Sequence, residues 1–103
     1  MSDKTITLQN PVDWHGKSVT QITIREPRGA EHRRIGQPQT MVFSKDGMAY
    51  FVEQPEAIAA YADACLTHEG GKVLLNMLSL ADSIAVNKAI VGFFTDAERA
   101  ILN

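Results

Sequence analysis

The chain has 103 residues, a formal net charge of −2, and 45% hydrophobic and 21% charged residues. These values are typical of one small globular domain, and the negative charge gives no general attraction to nucleic acid or anionic lipid. A single cysteine excludes an internal disulfide, and the longest apolar run is far shorter than the roughly 20 residues of a membrane span. The first four residues lack the apolar region of a signal peptide, so we expect a reducing, cytoplasmic compartment.

The first predicted element is a β-hairpin over residues 4–24. Apolar residues alternate with polar ones on both sides of Trp14-His15-Gly16, as in half-buried strands. A three-residue loop there, with Gly16 in the left-handed conformation, would place Ile6 opposite Ile24 and Leu8 opposite Ile22.

A short helix is expected next, over Ala30 to Ile35, because Gly36 is a helix stop and Pro38 blocks continuation. A second hairpin follows between Met41 and Val52. Asp46-Gly47 between two apolar runs favours a two-residue turn. That turn would pair Phe43 with Tyr50 and Met41 with Val52, and apolar residues on both faces suggest that both are covered.

Helical periodicity begins at Pro55 with an apolar stripe that ends before Gly70-Gly71, where we expect the helix to stop. One or two helical turns follow over residues 73–78. Ser79 with Asp82 resembles an N-cap for a helix from Leu80 to about Phe94. Thr95 with Glu98 fits a capping box, which predicts a separate last helix over residues 96–102.

These elements predict an α+β fold, with N-terminal β-hairpins followed by a small C-terminal bundle of three to four helices. Residues 1–103 should form a single domain, with a β-rich half over 1–54 and a helical half over 55–103.

The helix from Leu80 to Phe94 has apolar residues over an arc of roughly 180°, wider than the stripe that a helix lying on a core needs. One interpretation is a central helix that its own chain covers on two sides. The other is that part of the arc meets another chain, a second copy included. Trp14, at a hairpin tip, either caps the sheet or forms a contact hot spot. The candidate partner-binding residues are therefore Ile58, Tyr61, Leu66, Val86, Ile90, Phe93, Phe94 and Trp14.

Chemical groups are scattered along the sequence. His15, His32 and His68 have no metal-ligand spacing, and Cys65 lies on an apolar stripe with no identifiable base. No phosphate-binding loop or nucleophile motif occurs, so we predict no catalytic, cofactor or metal site, and no enzyme. The basic cluster Arg25–Arg34 could contact phosphates, but acidic residues interleave with it, and nucleic acid is not the expected partner.

Two segments resemble the small tail assembly chaperones of contractile-tailed phages, the protein E and Mu-like families. The first is Ile6-Thr-Leu, followed by residues 11–27 with their Gly-Lys turn and closing Arg-Glu-Pro. The second is Leu74–Asp82 with the following apolar helix that ends in Phe93-Phe94. The middle of the chain, with Asp46-Gly47 and Arg33-Arg34, departs from the family pattern.

The resemblance implies a function without catalytic residues. Such proteins are thought to coat the long, apolar tape measure protein until the tail tube polymerises around it. It implies the tape measure protein as partner, possible contact with the tail tube protein, self-association, action in the host cytoplasm and absence from the mature virion. Two alternatives stay open: a small nucleic-acid-binding regulator using Arg25–Arg34, and a structural tail subunit.

Overall fold

The computed structural model describes residues 3–102 and has an α+β architecture, as predicted, with two separate antiparallel hairpins. Three helices follow the second hairpin, and a fourth lies between the hairpins. The elements in chain order are β1 (Lys4–Trp14), β2 (Lys17–Ile24), α1 (Gly29–Ile35), β3 (Gln39–Phe43), β4 (Ala49–Glu53), α2 (Pro55–Cys65), α3 (Gly71–Met77) and α4 (Leu80–Leu102).

The turn between β1 and β2 has two residues, not the three predicted. Trp14 pairs with Lys17, and His15 and Gly16 both have positive φ angles of 51° and 82°. Two consecutive positive φ angles match the twist of a tight hairpin. The Asp13 carboxylate accepts a hydrogen bond from the Gly16 amide at 2.9 Å, which stabilises this turn.

The predicted register of the first hairpin is also wrong. Ile6 lies opposite Ile22, and Lys4 lies opposite Ile24. The register then shifts between Thr7 and Val12. Such an irregularity interrupts strand pairing and bends the strand. Here it allows β1 to turn its backbone towards the start of α4.

The second hairpin has a wider turn than predicted. Met41 pairs with Phe51 and Phe43 with Ala49, so the expected partners are each one residue off. The connection therefore spans residues 44–48. Ser44 stabilises this wider turn, because its hydroxyl donates to Asp46 at 2.6 Å and accepts from the Met48 amide at 3.2 Å.

α1 begins at Gly29, one residue before the predicted start, and ends at Ile35 as predicted, where Gly36 follows with a φ of 94°. α2 begins at Pro55, but it ends at Cys65, several residues before the predicted stop. The next residue, Leu66, is extended and bridges to Ile24, so the chain leaves the helix to pair with the edge of β2.

α4 is one continuous helix of 23 residues, and the predicted break at Thr95 is wrong. The Thr95 hydroxyl donates to the Val91 carbonyl at 3.3 Å, one turn back inside the helix, instead of capping a new one. The predicted N-cap is confirmed, because the Ser79 hydroxyl accepts from the Asp82 amide at 3.3 Å.

The core lies between the β1–β2 hairpin and helices α2, α3 and α4. Each element contributes the apolar side of its pattern, and removing these side chains from water stabilises the fold. The buried apolar residues are Leu8, Val12, Ile22, Ile24, Ile58, Tyr61, Ala62, Cys65, Leu66, Leu74, Val86, Ile90 and Phe93.

One buried carboxylate joins the hairpin to α4. Asp82 is 1% exposed and accepts hydrogen bonds from the backbone amides of Gln9 and Asn10 at 2.8 and 3.0 Å. The Ser79 hydroxyl donates to the same carboxylate at 3.0 Å. The pKa of Asp82 is lowered despite its burial, mainly by the hydrogen bond from the Gln9 amide. The hydrogen bonds from the Asn10 amide and the Ser79 hydroxyl lower it further. The irregular stretch of β1 is thereby held against the first turn of α4.

Candidate partner-binding surface

Most of the partner-binding residues predicted from the sequence lie inside the domain. They belong to the core of the monomer and are not accessible to another chain. The candidate site must therefore be formed by other residues. The reason is that the first hairpin covers one side of α4 while α2 covers another. The buried residues are Ile58, Tyr61, Leu66, Val86, Ile90 and Phe93.

Trp14 and Phe94 are the two candidates that remain partly exposed. Trp14 packs against the core and makes edge contacts with the rings of His15 and His68, at centroid distances of 4.7 and 5.5 Å. A Cβ atom on Gly70 would lie 2.9 Å from the indole, so the backbone also closes over it. Trp14 therefore caps the end of the first hairpin, the first of its two sequence interpretations.

Half of the exposed large apolar side chains among the described residues are on the β3–β4 hairpin, which we call the arm (residues 39–53). Neither strand packs closely against another element of the described chain, and every residue of β4 is exposed. The prediction that both faces are covered is wrong. Exposed apolar side chains on the arm are Met41, Phe43, Met48, Tyr50, Phe51 and Val52, with Phe43 67% and Met48 68% exposed.

The strand register divides these side chains between two faces. Residues directly opposite each other project to the same side of a sheet. Met41, Phe43 and Phe51 therefore share one face, and Tyr50 and Val52 share the other. An isolated two-stranded hairpin of this length is marginally stable in water, and uncovered edges with apolar faces are typical of binding sites.

The second part of the surface is a groove around Phe94, which we call the cleft. It runs between α4 and the segment 26–39, and its lining forms hollows of about 260 and 200 Å³. Phe94 borders both hollows, and its ring packs edge-on against buried Tyr61 at 4.9 Å. Phe51 of the arm lines the second hollow, so the apolar surface continues from the cleft onto the arm.

The two walls of the cleft differ in charge. Arg28 and His32 lie on the α1 side of the larger hollow, and Glu98 lies on the α4 side beside Ala97 and Ile101. The ion pairs among residues 3–102 are Lys4–Asp96 and Arg25–Glu31, so neither Arg28 nor Glu98 is paired there. The groove thus has an apolar floor with opposite charges on its two sides.

Other exposed apolar residues lie away from the cleft, on α3 and the first turns of α4. They are Val73, Met77, Leu80 and Ile84. A broad depression of about 670 Å³ between α1, β3 and α2 is lined by Arg34, Gln37, Gln54 and Glu56 among others.

The groups that could carry chemistry are kept apart. Cys65 is fully buried, and burial raises the pKa of its thiol, which disfavours the reactive thiolate. His68 accepts from the Gly70 amide at 2.8 Å, while His32 lies against Phe94. Within residues 3–102, no group of three His, Cys, Asp or Glu side chains could hold a metal ion.

The basic segment is divided by an internal ion pair. Arg25 makes two hydrogen bonds to Glu31, at 3.0 and 2.7 Å, and a third to the Ala64 carbonyl at 3.0 Å. The side-chain hydrogen bonds from Arg25 are the main cause that lowers the pKa of Glu31 to about 2. Arg25 therefore anchors α1 to α2, and Arg28, Arg33 and Arg34 remain exposed.

Sequence reasoning missed the arm as a candidate binding surface, and of its candidate residues Phe94 borders the two larger hollows of the cleft. A signal was present: Met41 to Phe43 and Tyr50 to Val52 are apolar at consecutive positions, so both faces of the hairpin have apolar side chains, and any face left uncovered is an exposed apolar surface.

No helix in the part of the chain that the structure describes is both long enough and apolar enough to cross a membrane. Comparisons with protein-family models, with curated proteins and with solved structures found no match to this chain.

Proposed function

We propose that this protein is a non-enzymatic assembly chaperone that binds an apolar helical segment of a client in the cleft and against the arm. The observation that carries this proposal is the uncovered apolar surface that runs from Phe94 through Phe51 to Met41 and Phe43. A helix with apolar residues at positions i, i+3, i+4 and i+7 is the partner that such a groove takes best.

The resemblance of residues 11–27 and 74–82 to the tail assembly chaperones identifies the client in this proposal as a phage tape measure protein. A long helical client with many apolar stretches would take many copies, so each contact can be weak and still protect the whole chain. Weak contacts also let tail tube subunits displace the chaperone, which then stays in the host cytoplasm and is absent from the finished virion.

Co-expression with the tape measure protein of the same tail tests this function. We expect the client to remain in the soluble fraction only when the chaperone is present. The variants Phe51→Ser and Ile101→Ser remove exposed apolar side chains from the arm and from the α4 side of the cleft, and each should return client to the pellet.

Leu80→Ser is the matched control, because Leu80 is 78% exposed but lies outside the cleft and the arm. It should protect the client as well as the wild type does. Equal client solubility with and without the chaperone would contradict the proposal, and so would stoichiometric chaperone in purified virions.

A further inference from the structure

The charged residues on the two walls of the cleft restrict the kind of client helix more than the apolar floor does. Arg28 and Glu98 border the same hollow from opposite sides, and both are exposed and without an ion pair in the described residues. Phe94, Ala97 and Ile101 form the apolar surface beside them. Two opposite charges on different elements therefore border the same apolar groove.

We propose that Arg28 and Glu98 make the cleft selective for an amphipathic client helix with acidic residues along one edge of its apolar stripe and basic residues along the other. This inference rests on the proposed function. Opposite charges across a contact improve specificity more than affinity, and like charges set against each other are unfavourable. Reversing the helix in the groove would exchange its two edges, so a mixed-edge helix is accepted in one direction.

His32 also lines the α1 wall. Glu26 lies beside Pro27 at the narrow end of the groove, in a hollow of about 50 Å³ with Phe93, Phe94 and Ala97. At the larger hollow, Arg28 therefore provides the positive charge of the α1 wall, and Glu98 provides the negative charge of the α4 wall.

Three synthetic helical peptides of about 20 residues test the inference with the full chain. All three have the same leucine stripe; the edges of the stripe are both acidic, both basic, or one of each. Fluorescence anisotropy at low salt should show that the wild type binds the mixed peptide about three- to tenfold more tightly than either other peptide. The preference should fall towards zero in about 1 M salt, where the screening length is near 3 Å.

Charge reversal should change the ranking in a defined way. Glu98→Lys should prefer the all-acidic peptide, and Arg28→Glu should prefer the all-basic peptide. Glu69→Lys and Lys17→Glu are matched controls, because they change the net charge equally at exposed positions outside the cleft. Both controls should keep the wild-type ranking.

Equal affinity for the three peptides would overturn the charge selectivity, as would controls that shift the ranking as far as the cleft variants do. Binding of the peptides would in that case leave the chaperone function standing. Failure of every peptide to bind, together with an insoluble client in co-expression, would refute both the function and the selectivity.

Discussion

The two hairpins of this protein both contain many apolar residues, but the first buries them and the second exposes them. The β1–β2 hairpin buries Leu8, Val12, Ile22 and Ile24 beneath α2 and α4. The β3–β4 hairpin exposes nearly all of its apolar side chains, although they are larger. Alternation explains part of the difference: a strand with one apolar face can lie on a core with its polar face in water, while the arm has exposed apolar side chains on both of its faces.

Tertiary hydrogen bonds reinforce the contrast between the hairpins. The first hairpin is held at its irregular stretch by Asp82 and at the edge of β2 by Leu66 and Thr67. At the base of the arm, the Gln54 amide donates to the Pro38 carbonyl at 2.8 Å. The first hairpin thus contributes to the stability of the fold, while the apolar side chains of the arm remain exposed.

The largest expected effect is on the packed hairpin. Ile24→Ala should lower the free energy of unfolding by about 3 kcal/mol, because this fully buried side chain leaves a cavity in the core. Phe43→Ala on the arm should change it by less than about 0.5 kcal/mol, since its ring is mostly in water. Urea unfolding measures both values. Similar losses for the two variants would show that the arm is part of the folded core.

A smaller effect is expected at the carboxylate that joins this hairpin to α4. Asp82→Asn should lower the Tm at pH 7 by about 5–10 °C, because charge-assisted hydrogen bonds from two backbone amides are weakened. The pKa of Asp82 is lowered in the fold, so its stabilising contribution is present above its ordinary pKa of 3.8 and is lost as pH falls through the folded pKa. The Tm difference should therefore disappear in strong acid.

Asp63→Asn, at an exposed position of α2, is the control for that experiment and should leave the Tm within about 2 °C of the wild type. A variant of Asp82 that melts like this control at pH 7 would mean that the link between β1 and α4 contributes no stability.

The anchor that follows β2 should have the next effect in size. Glu31→Gln should cost about 1 kcal/mol at pH 7, because it replaces the carboxylate that accepts two hydrogen bonds from Arg25. Folding lowers the pKa of Glu31 from 4.5 to about 2, so the wild-type advantage should be lost as pH falls across that interval. Thermal melts from pH 7 to pH 2 measure it, with Glu69→Gln as an exposed control. An advantage that persists at pH 2 would refute this assignment.

The smallest energetic effect requires no substitution. Amides of β3 and β4 should exchange with solvent at least about tenfold faster than paired amides of β1 and β2, because the arm can open without disturbing the core. Hydrogen exchange followed by NMR resolves the two hairpins separately. Bound client should slow exchange in the arm more than in the first hairpin; equal slowing would place the contact elsewhere.

Local signals in the sequence predicted the elements whose ends depend on nearby residues. Pro55, Gly36 and the Ser79–Asp82 pair act on their own backbone, and each lies where it was expected. The turn at Gly16 was located but not its length, since His15 adopts a positive φ that its residue type does not require.

Features that depend on distant residues could not be predicted. α2 ends early because Leu66 pairs with β2, more than 40 positions away in the chain. The same limit explains why Val86, Ile90 and Phe93 were proposed as a surface. Their arc on α4 was read correctly as apolar, but which side is covered depends on how the first hairpin and α2 pack against it.

The bare arm has a consequence for how much of this protein a cell can hold. Apolar strands with unpaired edges associate with one another, so free copies of this protein in excess are prone to aggregate. Under the proposed function, the safe abundance of the protein is therefore limited by the supply of client, and we expect the two to be produced in a fixed ratio.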